Sequence, residues 1–301
     1  MTASATSRPV SEITAYTPNA YLLRIRDLVY QIAGIFHPDH RLRFLEDRCG
    51  RRMKELGVAS LRDYLDCLSV KPDRQVELVA LLNEITVGET YFFRNEPQLE
   101  ALRKVILPGI VEAQSKLPAR RLRIWSAGCS TGEEPYTLAI LLLEEAKGLL
   151  EGCTFDIQAT DLNERSVAHA KRGVYGEYAT RHLTPQIRGK YFVEEDGQLS
   201  VSMQARARVT IQRLNLLDDN RMTSMSGFDI IFCCNVLIYF DAASKRRVIQ
   251  HFYNSLMPRG YLFLGHAESL FGINDDFQLV HLPSTTAYTK GERQQERRRL
   301  P

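Results

Sequence analysis

The chain has no apolar run long enough to cross a bilayer. Leu138 to Leu143 is short and followed by charge, whereas a spanning helix needs roughly 18–20 apolar residues. Met1 to Pro9 carries no apolar signal core, so the sequence reads as cytosolic. Cysteine is sparse. Cys49, Cys67, Cys129, Cys153, Cys233 and Cys234 include no CxxC pair, and the two adjacent ones could hardly bridge each other, which argues against structural zinc and a disulfide framework alike. Net charge is small as well: 39 Lys and Arg against 36 Asp and Glu leave +3, too little to argue nucleic-acid binding by itself. What is present, 44% hydrophobic and 25% charged residues over 301 positions, describes an ordinary soluble globular protein of about two domains, large enough to bury a core without staples.

Residues 1–17 are rich in Ser and Thr, lack periodicity and read as disordered. Helical spacing starts at Tyr21, with Leu22, Ile25, Val29 and Ile32 recurring until Gly34. Asp39 is placed to cap a second helix with the stripe Leu42, Leu45, Cys49, Met53 and Leu56, stopped by Gly57. Ser60 and Asp63 resemble a capping box for Leu61 to Leu68, and Pro72 can open a fourth helix through Val76, Val79, Leu82 and Ile85. Residues 18–85 therefore read as an all-helical domain, and 86–120 as a linker with connecting helices.

Beyond that point the period changes. Strands expected at 121–126, 153–160, 209–214, 228–233 and 261–265 alternate with helices opened by Pro135, capped by Asn163 and ended by Gly173, and capped by Asp241 over 242–256. This rhythm predicts a doubly wound α/β sheet across 121–290. Two strand-like runs around Glu195–Asp196–Gly197 predict a small antiparallel β-subdomain inserted at about 188–203. Residues 277–282 and 285–290 can pair as a terminal hairpin, and the charged tail 291–301 reads as solvated.

Four segments carry chemistry. The first is a strand, then Ala127–Gly128–Cys129–Ser130–Thr131–Gly132–Glu133–Glu134–Pro135, then a helix. Ligands of open α/β sheets bind beyond the carboxyl ends of the strands, where glycines allow close backbone approach. A dinucleotide site wants GxGxxG and a bare helix N-terminus for the pyrophosphate. Here the spacing is GxxxG and two glutamates occupy the helix start. Carboxylates there repel a phosphate but accept from an ammonium or a ribose, which favours a cationic nucleoside such as S-adenosylmethionine over NAD. A plain Gly-rich turn whose acids complement the helix dipole competes evenly with that reading. The second is Asp161, ending the next strand, where an acid can take both ribose hydroxyls or merely cap a turn. The third, Phe228 to Phe240, delivers Asn235 over the same crevice. Asn both donates and accepts, which suits a zwitterionic amino-acid moiety, and Tyr239 can aim its hydroxyl inward; the alternative is loop and core. The fourth, Glu84 to Asn95, puts three consecutive aromatics before Arg94, a ready carboxylate clamp or the anchor of an interdomain linker.

Together these stretches closely resemble the CheR-type chemotaxis receptor methyltransferases, which are protein-glutamate O-methyltransferases. The likeness rests on Thr86 to Arg94, Trp125 to Tyr136, Ala159–Thr160–Asp161–Leu162, Asn215–Leu216–Leu217, Phe232 to Phe240 and Gly265–His266–Ala267–Glu268–Ser269, in order over about residues 20–290. The resemblance implies a helical domain joined to a methyltransferase domain with an inserted β-subdomain, S-adenosylmethionine as methyl donor without a metal, and glutamates on the cytoplasmic helices of chemoreceptors as substrates. Position by position, it places Thr90, Arg94, Glu133, Asp161, Asn215, Leu216 and Asn235 around the cofactor, with Gly128, Glu134 and Cys234 adjoining. Arg94 and Tyr239 come nearest the transferred methyl, and the sequence leaves open which of Glu133 and Glu134 faces the ligand. Gly88 and Cys234 depart from the pattern, standing where many relatives carry Asn and Arg.

Such a reaction needs no general base, because a glutamate is already ionised near neutral pH. His266 accordingly reads as structural, and neither Cys129 nor Cys233 has an obvious base beside it. The helix over about 40–56 carries Arg41, Arg48, Arg51 and Arg52, which reads either as a solvated face or, with an acidic receptor helix as partner, as a basic face that steers and registers it. The other docking route is a tether through the β-subdomain, for which the tight Glu195–Asp196–Gly197 turn offers little loop. The protein is expected to act as a cytoplasmic monomer, neither inserted in a membrane nor bound to nucleic acid. The rivals are a nucleic-acid methyltransferase of the same fold and a non-catalytic S-adenosylmethionine-binding adaptor. Against the first, Asn235–Val236–Leu237–Ile238 lacks the Asn/Asp-Pro-Pro-aromatic pattern of exocyclic amine methylation.

Overall fold

The computed structural model of the protein describes residues 18–86 and 88–291. The expectations for residues 1–17 and 292–301 lie outside the described residues, as does Val87 of the aromatic segment.

Four helices open the chain: α1 (Ala20–Ala33), α2 (Leu42–Leu56), α3 (Leu61–Ser69) and α4 (Arg74–Ile85). Their ends follow local chemistry. The Asn19 side chain accepts from the Tyr21 amide and Ser60 from the Asp63 amide, while Gly34 and Gly57 stop α1 and α2 in the left-handed region at φ 67°. Leu22, Ile25, Leu42, Leu45, Tyr64 and Leu81 meet in a fully buried core.

Three expectations change here. A 3-10 turn over Asp39–Arg41 precedes α2, so Asp39 starts that turn instead of capping the helix. In α4, Val76 faces solvent and Glu77 turns inward with Leu78, Leu81, Leu82 and Ile85. Arg52 is buried, not part of an exposed basic stripe. Its Nε and Nη2 donate to Glu77 Oε1 and Oε2 at 3.0 and 2.8 Å, and the Tyr64 hydroxyl donates to the same carboxylate at 2.8 Å. Periodicity within α2 could not foresee a glutamate arriving from α4.

Helix α5 (Glu96–Ala101), a π-helical turn (Leu102–Ile106) and α6 (Leu107–Ala113) then run on into the α/β domain. This consists of β1 (Arg120–Ala127), α7 (Glu133–Glu145), β2 (Cys153–Asp161), α8 (Glu164–Arg172), β3 (Val174–Tyr175), α9 (Glu177–Thr180), α10 (Pro185–Tyr191), β4 (Phe192–Glu195), β5 (Gln198–Val201), α11 (Met203–Arg206), β6 (Val209–Arg213), α12 (Asp219–Met222), β7 (Phe228–Cys233), α13 (Ala242–Ser255), β8 (Leu256–Leu264), β9 (Phe277–Leu282) and β10 (Thr285–Lys290).

The large sheet has the order β6-β2-β1-β7-β8-β10-β9. Its first five strands pair in parallel and the terminal hairpin pairs antiparallel. Strand order reverses between β1 and β7, and that switch point opens the crevice in which such sheets bind ligands. Side chains alternate across β1. Leu122 and Ile124 enter the core shared with α7, whereas Trp125 packs edge-on against Phe252 of α13 at 5.2 Å and donates from Nε1 to Thr160 Oγ1.

The inserted β-subdomain is larger than the turn at Glu195–Asp196–Gly197 suggests. Val174–Tyr175 adds a third strand, giving the order β3-β5-β4, because a two-residue strand leaves no readable alternation. The helical domain lies over the carboxyl edge of the large sheet. Phe36 N donates to Tyr239 O at 2.9 Å, and the Asn163 side chain donates to Asn83 O and Thr86 Oγ1 at 3.0 and 2.8 Å. No described helix is long and apolar enough to cross a membrane.

Candidate active site

Where β1, β2 and β7 end under the helical domain, a cleft of about 360 Å³ opens, within the roughly 300–1,000 Å³ typical of small-molecule sites. Ala33, Ile35 and Thr86 of the helical domain form part of its wall. The loop after β1 makes its floor. Gly128 and Cys129 donate their amides to Thr160 O at 2.8 and 2.9 Å, folding the loop back across β2. Gly128 has φ 82°, and a Cβ there would lie 2.3 Å from Val236 Cγ2, so glycine is needed for both conformation and space.

The two glutamates that open α7 divide. Glu133 is buried and accepts from the Thr131 hydroxyl at 2.7 Å, outside the cleft wall. Glu134 lines the cleft and accepts from the Ser126 hydroxyl at 2.7 Å. Desolvation pushes its carboxyl up to about 7, against the downward pull of Ser126 and the Arg94 guanidinium. Of the two, Glu134 lines the cleft and Glu133 does not.

Asp161 also lines the cleft. Its carboxylate accepts the Ser130 amide at 2.7 Å and the Asn163 amide at 2.8 Å. Burial raises its pKa and those amides oppose the rise. Each oxygen keeps a further acceptor site, since an ionised carboxylate offers about four lone pairs.

Arg94 sits between two strained residues, Phe93 at φ 58° and Asn95 at φ 61°. Its segment is gripped from both sides. Phe92 packs edge-on against Tyr175 and Phe192 at 4.9 and 5.1 Å, and the Phe93 amide donates to Thr137 Oγ1 at 3.0 Å. The aromatic run thus anchors the linker and at the same time aims the guanidinium into the cleft wall. Thr90 and Gly88 line the same wall. A Cβ on Gly88 would fall 2.2 Å from Ser130 Oγ, so the serine hydroxyl fills the room a larger residue would need.

From β7, Asn235 and Tyr239 both reach the cleft. Asn235 is held at φ 61°. Burial pushes the Tyr239 hydroxyl up, and the Arg41 guanidinium is near enough to oppose the rise. Cys234 lines the cleft too, with its Sγ 3.5 Å from Gln98 Oε1. Burial drives the thiols of Cys129, Cys233 and Cys234 well above their ordinary value, so none is a ready nucleophile. Leu216 is cleft wall, and Asn215 lines it while donating to Ile32 O at 2.6 Å and accepting from the Leu217 amide. Much of the Asn215 side chain is thus engaged in joining the two domains.

The structure separates the four arginines of the expected docking face. Arg41 is exposed near Tyr239, whereas Arg48 lies over the Phe44 ring at 4.7 Å and Arg51 points toward Glu84 at 3.9 Å. Arg52 is committed to Glu77. Three residues of the site went unassigned from sequence: Ser126 under Glu134, Gln98 beside Cys234, and Glu268, which accepts the Asn235 and Ile238 amides. For Glu268 a signal existed, an acid just beyond the strand-ending Gly265.

The chain also matches known proteins. The family model described as "CheR methyltransferase, all-alpha domain" matches residues 21–86, and "CheR methyltransferase, SAM binding domain" matches 88–286. Chemotaxis protein methyltransferase 2 of Vibrio cholerae serotype O1 is 35% identical over 268 residues, 89% of this chain and 91% of its own length. Chemotaxis protein methyltransferase 1 of Pseudomonas aeruginosa is 34% identical over 87% of this chain and 94% of its own, and that of Escherichia coli K12 is 32% identical over 87% and 88%. Two domain models matched in succession, and relatives covered almost end to end, leave one conclusion: the chain belongs to the CheR family of S-adenosylmethionine-dependent chemotaxis methyltransferases.

Proposed function

We propose that the protein esterifies glutamate side chains on the cytoplasmic helices of methyl-accepting chemoreceptors, acting as a cytoplasmic monomer, with S-adenosylmethionine held in the cleft at the ends of β1, β2 and β7. One observation carries this reading. Two desolvated carboxylates, Glu134 and Asp161, and a guanidinium bonded to the Glu89 carbonyl instead of an acid, Arg94, converge on one cleft. Their chemistry matches the donor's charges group by group. Glu134 suits an ammonium, Asp161 a ribose diol, and Arg94 a carboxylate. The buried Ser130 hydroxyl, without a hydrogen-bond partner among the described residues, offers one more polar contact in the same wall.

S-adenosylmethionine, when bound, supplies a methyl group activated by its sulfonium. The acceptor is already an anion near neutral pH, so the residues need only orient it and exclude water. Alignment of that kind can supply roughly 7–11 kcal/mol. The roles fall to Arg94, whose planar fork holds a carboxylate, and to Tyr239, whose hydroxyl stays protonated in its buried setting. Thr90, Gly128, Asn215, Leu216, Cys234 and Asn235 complete the wall. Arg41, exposed beside Tyr239, is the member of the basic set best situated to meet an acidic helix.

The test is labelled methyl transfer to receptor-bearing membranes, RNA and DNA in parallel. Label appearing on receptor and released by mild alkali supports the ester. Label on nucleic acid, or cofactor binding with no transfer to receptor, overturns the proposal.

A further inference from the structure

We propose that Glu268 is a positioning residue of this enzyme: its carboxylate ties the ends of β7 and β8 together and fixes the loop that presents Asn235 and Tyr239 to the cleft. The inference rests on the reading that Asn235 faces the cofactor.

The two strands run side by side to the register pair Cys233 and Leu264, and there the ladder stops. Backbone amides past that point have lost their strand partners and must find others. Glu268 supplies them. A turn brings it back over the strand end, its own amide donating to Gly265 O at 2.9 Å. Oε2 then accepts the Gly265 amide at 2.7 Å and the Asn235 amide at 2.9 Å, and Oε1 accepts the Ile238 amide at 3.2 Å. One side chain thereby holds the residue just past one strand end and two points of the loop leaving the other.

Two local features show how closely this is built. Asn235 stands at φ 61°, in the left-handed region that asparagine enters more readily than other non-glycine residues, and its amide is held there by Glu268. Gly265 leaves room for the carboxylate, since a Cβ there would lie 2.6 Å from Asn235 Oδ1 and 2.8 Å from Glu268 Oε2. Only an ionised carboxylate accepts three amides without presenting a donor. Glutamine would turn an NH2 toward one of them, and aspartate would fall a methylene short. Glu268 touches no reacting atom in this scheme; it acts through Asn235 and Tyr239.

The experiment uses the full chain, with Glu268→Gln, Glu268→Asp, Asn235→Ala and the Gln/Ala double variant. Each is titrated calorimetrically with S-adenosylhomocysteine, and the amide resonances of Asn235, Ile238 and Gly265 are followed by NMR. Glu268→Gln is expected to weaken binding about tenfold, to move all three resonances upfield, and to add nothing to Asn235→Ala in the double variant, because both losses run through one loop. Glu268→Asp should restore part of the affinity. Should Glu268→Gln fail to fold, the Asp variant and the wild-type resonances carry the test, the latter expected downfield as for amides on a carboxylate. A loss in Asn235→Ala alone, or losses that add, overturns the proposal and leaves the cofactor reading standing. No loss in either single variant removes Asn235 from the cofactor contacts, and the proposal falls with it.

Discussion

Glu77 in the helical domain and Glu134 in the cleft are both carboxylates withdrawn from water, yet they are treated differently. Glu77 receives two N–H bonds from Arg52 and the hydroxyl of Tyr64, all from its own domain. Glu134 receives the Ser126 hydroxyl, and desolvation keeps its carboxyl up at about 7. The backbone follows the same division. Among the described residues, no non-glycine member of the helical domain has positive φ, whereas Phe93, Asn95, Ser130 and Asn235 all do at the cleft. Where burial serves the fold, charge is fully partnered. At the cleft, Glu134 is left with a raised pKa, a feature that clusters at functional sites.

The sharpest way to break this contrast is to remove one carboxylate from each region. Glu77→Ala strands Arg52 in the helical core and should destabilise the protein by about 3–5 kcal/mol. Denaturant melts would measure that loss, while cofactor affinity of the folded fraction should hold. An affinity that fell in step with stability would join the two regions and end the distinction. Asp161→Ala should do the reverse, weakening S-adenosylmethionine binding by about ten- to a hundredfold, the worth of roughly 1.5–3 kcal/mol, with little change in melting temperature. Unchanged affinity by calorimetry would take Asp161 out of the site.

Smaller effects refine the cleft itself. Arg94→Lys keeps the charge but loses the fork, so methyl transfer should drop by about tenfold or more while the fold is retained. Near-normal turnover would reduce Arg94 to a linker anchor. Arg41→Glu should raise the apparent KM for receptor a few-fold, an effect that fades with added salt, and leave cofactor binding untouched. A KM indifferent to both reversal and salt would move docking elsewhere.

The sequence made the architecture legible because its signals were local. Caps at Ser60, Asn163 and Asp241 and stops at Gly34, Gly57 and Gly173 set helix ends, and alternation of β-rich and helical stretches marked out the sheet, down to β7, β9 and β10 at their observed limits. The cleft residues were legible as motifs. What stayed hidden depended on contacts between distant segments. Arg52 meets Glu77 across two helices, Val174–Tyr175 joins β5 from a position well upstream, and Glu268 reaches back to Asn235. Nor could adjacency in sequence separate Glu133 from Glu134, since the first turn of α7 sends one side chain to Thr131 and the other to Ser126.

Glu134 offers the most direct measurement. Desolvation pushes its carboxyl up to about 7 from its ordinary 4.5, so below that pH the ligand-free carboxyl holds a proton that a cationic ligand must displace. A group with a raised folded-state pKa contributes stability that is present at low pH and lost as pH rises through the folded value. The ligand-free protein should therefore melt lower at pH 8 than at pH 6, two conditions that bracket the value of about 7. S-adenosylmethionine affinity should rise over the same interval with proton release, read by calorimetry in buffers of different ionisation enthalpy, and Glu134→Gln should flatten both slopes. An affinity independent of pH in the wild type, or the same slope persisting in Glu134→Gln, would contradict the assignment of the cleft's charge to its ligand.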